Sequence, residues 1–187
     1  MRLTRGLTAA LGSLAFLTAC ASLIPGAAVI GPNDLQRYTA QSNALFVGNG
    51  QLVLIGTTTN PADRTALSQV AATNVAQGAF GTKFQLTPRD QAERPSRNRV
   101  VMAIGGADTR RLCTEPPDRG GNFSGGSIRV GAAACNGDTR LSSVSGQIDG
   151  LSGVDDPKLA NFFGQIGAAL FPGRNLDYQQ RDRDWGF

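Results

Sequence analysis

The sequence predicts an α+β domain with a mostly antiparallel sheet of about five or six strands and two amphipathic helices on one face. Two segments open with a cap residue followed by proline and then carry apolar residues at helical spacing. Between them lie short apolar runs bounded by Gly, Asn and Pro, the pattern of strands and turns. Helices with one apolar stripe each need a sheet face to cover. A chain of 187 residues, 41% hydrophobic and 17% charged, matches one compact domain rather than a disordered or polytopic chain.

The elements follow in order. Residues 44–48 and 51–56 are apolar runs separated by Asn49-Gly50, the dipeptide suited to a type I′ turn, so a hairpin is expected. Asn60-Pro61 then starts a helix over residues 61–77, with Asp63 in its first turn and Gly78 as its stop. Phe84 and Leu86 share one side of a strand over residues 82–87. After the charged loop of residues 88–98, the unbroken run Val100-Val101-Met102-Ala103-Ile104 reads as a central strand buried on both faces. Residues 105–126 form a long connection with six glycines. Strands over residues 127–135 and 139–148 meet at the Asn136-Gly137-Asp138 turn. Asp156-Pro157 opens the second helix, with Leu159, Phe162, Phe163, Ile166 and Leu170 on one stripe, ended by Phe171-Pro172-Gly173.

The count of zero histidines excludes Ser-His-Asp and Cys-His nucleophiles and histidine-ligated zinc. Phosphate-loop and dinucleotide fingerprints are missing from the sequence, and no cofactor and no metal is expected. Asp149, Asp155 and Asp156 do not have calcium-loop spacing, and helix capping accounts for the last two.

At the N-terminus, Arg2 and Arg5 precede an apolar run from Leu7 to Leu17, and 17 − 7 + 1 = 11 residues is too short for a membrane span. The run ends in Leu17-Thr18-Ala19-Cys20, which resembles the lipobox of bacterial lipoproteins. The resemblance covers residues 1–20 only. It implies cleavage before Cys20, a diacylglycerol on the Cys20 thiol and anchoring by two or three acyl chains. Ala21 in place of aspartate implies sorting to the outer membrane, facing the periplasm. The expected organisation is therefore a signal peptide over residues 1–19, a lipidated N-terminus and flexible tether over 20–43, the domain over 44–173 and a polar tail over 174–187.

Without Cys20, 3 − 1 = 2 cysteines remain in a chain bound for an oxidising space, and a Cys113 to Cys135 disulfide is expected. A metal-binding or catalytic pair would call for closer spacing and a histidine partner. Removing Arg2 and Arg5 leaves 18 − 2 = 16 basic against 14 acidic side chains, a balance that argues against a nucleic-acid partner.

Asp108, Arg110, Arg111 and Glu115 cluster around Cys113, and the two guanidinium groups could hold a carboxylate or phosphate by forked donors. A solvated loop of mixed charge explains the same residues. Tyr178 and Trp185 in the tail offer aromatic anchors for a partner, against the ordinary reading of a frayed chain end. The favoured reading is a non-enzymatic envelope component held to the membrane by its N-terminal lipid, with an envelope protein or peptidoglycan as partner. The alternative is an envelope hydrolase or transferase using those carboxylates and arginines.

Overall fold

The computed structural model describes residues 28–39, 41–89 and 96–173; the signal, Cys20 and the tail lie outside them. The described residues form an α+β fold around one six-stranded mixed sheet, with three antiparallel pairings and two parallel ones. Strand order is β1 (Val29–Ile30), β8 (Thr139–Leu151), β7 (Gly126–Asn136), β5 (Asn98–Ile104), β2 (Gly50–Ile55) and β4 (Leu86–Arg89). Two short strands, β3 (Thr57–Thr58) and β6 (Asn122–Phe123), pair beside it.

Both helices lie on one face, as expected. Helix α1 (Pro61–Gly78) starts at Asn60, whose side chain accepts from the Ala62 amide at 3.1 Å. Helix α2 (Pro157–Leu170) starts at Asp156 in the same way. Leu67, Ala71 and Val75 of α1 and Leu159, Phe162, Phe163, Ile166 and Leu170 of α2 are buried with Leu52, Leu54, Val100, Met102, Ile128, Val130 and Val144 of the sheet. Alternate residues of the same strands, Val53, Ile55, Val101, Ala103, Ala133 and Cys135, pack on the opposite face with Leu112 and Cys113. The run of residues 100–104 lacks alternation for this reason: β5 is covered on both sides.

Asp156 accepts from the Lys158 amide at 2.9 Å and from the Ser152 amide and hydroxyl at 2.9 and 3.1 Å. The Ser152 and Lys158 amides hold its carboxyl below the ordinary carboxylate range. A depressed folded-state pKa contributes stability that is present above the unfolded pKa and is lost as pH falls through the folded one. Acid unfolding of the wild type is therefore expected to steepen below about pH 4. Asp156→Asn keeps a cap and loses part of that steepening; equal acid titrations of the two by circular dichroism would refute the assignment.

Three expectations are corrected. Residues 44–48 are not a strand: Ser42–Phe46 form a 3₁₀ turn, and Gly50 already belongs to β2. Strand β2 sits between two parallel neighbours, β4 and β5, so the Asn49-Gly50 hairpin does not form. The strand expected over residues 82–87 is displaced to β4 (Leu86–Arg89), leaving Phe84 buried ahead of it. Gly78, expected as the stop just past a helix over residues 61–77, is instead the last residue of α1 and faces Gly164 across the helix crossing.

The folded body also begins before Ala44. Residues 29–37 run antiparallel along β8, with main-chain bonds from Gly31 to Ser145, between Asp34 and Ser143 in both directions, and from Arg37 to Leu141. This segment covers a sheet edge that would otherwise expose its donors and acceptors. Tyr38 follows, 3% exposed, its hydroxyl 2.7 Å from Asn43 Oδ1 and 2.9 Å from the Pro172 carbonyl. Burial pushes its phenol up to about 12. Its ring joins Phe46, Phe84 and Phe171, whose centroids lie 5.0 to 5.5 Å apart. Main-chain edge bonding leaves no apolar period in the sequence, and so the segment reads as a tether there.

Candidate functional site: the disulfide-pinned loop and its clefts

The long connection after β5 turns back across the sheet face that the helices leave open. Gly105 and Gly106 carry φ of 89° and 80°, left-handed values that suit glycine and aim the chain over β7. There it meets small residues. A Cβ on Gly131 would approach the Ala107 nitrogen and oxygen at 3.2 and 3.1 Å, so the strand surface is cut down to admit the loop backbone. The return is equally close, since a Cβ on Gly120 would lie 2.4 Å from the Ile55 carbonyl oxygen.

Two pins hold the middle of the loop. Cys113 and Cys135 are joined in a disulfide, with Cα atoms 5.6 Å apart and both residues buried. Arg99, 9% exposed, donates from Nη2 to the Cys113 carbonyl at 2.9 Å and from Nη1 to the Ser96 carbonyl at 3.3 Å. Burial lowers the Arg99 pKa, and Asp138, 4.0 Å away, opposes that by favouring the charged form.

Between residues 105–108 and 115–121 lies an open cleft of about 780 Å³ at the end of β5. It brings together Asp108, Arg111 and Glu115 of the four expected residues, along with Asp118 and Arg119. Arg111 and Glu115 form an exposed ion pair one turn apart. Such pairs contribute little to stability. The Asp108 carboxylate accepts from the Arg110 amide at 3.0 Å, closing a turn.

Arg110 does not share this cleft. Its side chain lines a second one, of about 260 Å³, with Gln36, Arg37, Asp138, Thr139 and Arg140. The four residues that adjoin in sequence thus divide between two surfaces, because consecutive residues of a turn point in different directions. Arg37, Arg99 and Arg140 were not singled out from the sequence. Their only sequence signal is arginine itself, spread over three segments that the fold brings together.

No family model and no curated protein matches the chain. Among solved structures, the chain is similar to the PelC dodecamer from Paraburkholderia phytofirmans at a TM-score of 0.44 and 9% identity, over 78% of this chain and 96% of that one. A single-substitution variant of that dodecamer gives 0.42 and 9%, over 79% and 98%. Likeness this distant does not bear on function.

Proposed function

We propose that this chain is a lipid-anchored protein of the bacterial cell envelope that works by binding or assembly rather than by catalysis. The observation that carries the reading is the buried Cys113–Cys135 bond, on which the placement of the long loop depends. Such bonds persist in oxidising compartments, in agreement with the secretory pattern of residues 1–20 and the lipobox ending at Cys20. The division of Asp108, Arg110, Arg111 and Glu115 between two clefts, with Arg111 and Glu115 engaged with each other, favours recognition over a concerted acid/base group.

Lipidation at Cys20 would also fix the height of the body. The described chain begins at Ala28, and 28 − 20 = 8 residues span at most about 29 Å fully extended. Ala28, at the start of the sheet edge covered by residues 29–37, then lies within that distance of the membrane surface.

Cys20→Ser is expected to block processing and lipid incorporation, so that the full-length precursor accumulates and no labelled acyl chain is recovered with it. Normal cleavage of this variant, with wild-type protein soluble in the periplasm, would overturn the anchor. A deletion strain complemented by Asp108→Asn/Glu115→Gln distinguishes the two classes. Full rescue of its envelope phenotype is expected, and loss of rescue at normal protein levels would point to carboxylate chemistry instead.

A further inference from the structure

The second cleft lies where the β7 to β8 hairpin meets the N-terminal segment and the pinned loop, and it concentrates positive charge. Arg37 and Arg110 reach it from exposed positions, and neither guanidinium has a hydrogen bond or ion pair among the described residues. Arg140 is different. Its side chain is 7% exposed and is oriented by Nη2 donating to Asp34 Oδ2 at 2.9 Å and Nη1 donating to Ser143 Oγ at 3.2 Å. Behind Asp138 stands Arg99, buried and desolvated.

The charges around the cleft do not cancel. Among the described residues, Arg37, Arg99, Arg110 and Arg140 stand against Asp34 and Asp138, and 4 − 2 leaves +2. Asp34 is committed to Arg140, and Asp138 is the carboxylate nearest Arg99. The Asp108 carboxylate beside the Arg110 amide lines the other cleft. The surplus thus resides on Arg37 and Arg110. Gln36 and Thr139 supply neutral polar groups on the same wall.

We propose that this cleft binds a phosphate group, with Arg37 and Arg110 as its principal contacts and the fixed Arg140 as its floor. A phosphomonoester carries about −1.5 to −2 at neutral pH, which matches the surplus. Guanidinium forks are suited to its oxygens, and one of the three here is already ordered by its own partners. The group could be free phosphate or the headgroup of a lipid monoester. The site is built wholly from the folded body and does not depend on lipidation at Cys20.

The test uses purified full-length protein in non-ionic detergent, titrated calorimetrically at constant ionic strength with inorganic phosphate, and separately with micelles containing phosphatidic acid or diacylglycerol. Saturable 1:1 binding is expected, weakened about tenfold by Arg37→Gln or by Arg110→Gln. Both variants should keep the wild-type unfolding midpoint, because neither side chain has a partner to lose. Binding of both phosphate probes assigns the site to free phosphate. Binding of phosphatidic acid alone, with diacylglycerol micelles silent, assigns it to a lipid headgroup. No saturable binding of either phosphate probe, or binding that both substitutions leave unchanged, overturns the proposal.

Discussion

Gly167→Ala is expected to destabilise the protein by about 3 kcal/mol or more, although alanine is the better helix former. A Cβ at Gly167 would lie 2.1 Å from the Val75 carbonyl oxygen, and one at Gly78 would lie 1.9 Å from that of Gly164. Both obstacles are backbone, so no side chain can swing aside and the helices must separate. The gain in helix propensity, about 1 kcal/mol, is smaller than the cost of forcing apart a packed crossing. Separation would also lift Ile166 and Leu170 from the core they fill. Gly164→Ala is the control, since its Cβ would meet only the Asn74 oxygen at 3.9 Å, an ordinary contact. Urea unfolding of Gly78→Ala, Gly164→Ala and Gly167→Ala is expected to place Gly164→Ala at or above wild type and the other two well below it. Equal midpoints for Gly167→Ala and wild type would refute the close crossing.

Removal of the disulfide by Cys113→Ala/Cys135→Ala is expected to cost about 3 kcal/mol through the entropy of the released ring of 135 − 113 + 1 = 23 residues. For a domain whose whole stability is about 5 to 15 kcal/mol, that is a large share. The loss should be concentrated on one face. Little apolar surface holds the loop to the sheet apart from Leu112, Cys113 and Ala107, whereas the helical face is held by the large cluster around Phe162 and Phe163. Limited proteolysis is therefore expected to cut within residues 105–121 before either helix. An unchanged unfolding midpoint, or first cleavage in the helices, would show that the loop is held by its packing alone. Substituting both cysteines avoids the buried free thiol that a single substitution would leave.

The elements whose signals are local are legible in the order of the amino acids. Asn60-Pro61 and Asp156-Pro157 set both helix starts within a residue, since cap and proline act on the backbone they belong to. The double burial of β5, the hairpin of β7 and β8 and the partner of Cys113 were legible for related reasons: an unbroken apolar run, a tight turn and a pair of cysteines each leave one simple solution. The neighbours of β2 and of β8's outer edge were decided only in three dimensions. Residues 51–55 are apolar enough to pair on either side, and the crossover through α1 seats β2 beside β4 in parallel, so the Asn49-Gly50 turn signal is overridden. Main-chain bonds to β8, which any residue types could make, enclosed residues 29–37 in the fold. The candidate sites depended on tertiary structure most of all. Asp108, Arg111 and Glu115 share a cleft because one turn returns them to the same side, while Arg110 joins Arg37 and Arg140, far away in sequence, because the sheet edge and the pinned loop converge there. Spacing along a chain specifies a helix face or a strand face, but the direction of side chains on an irregular loop is set by what the loop is packed against.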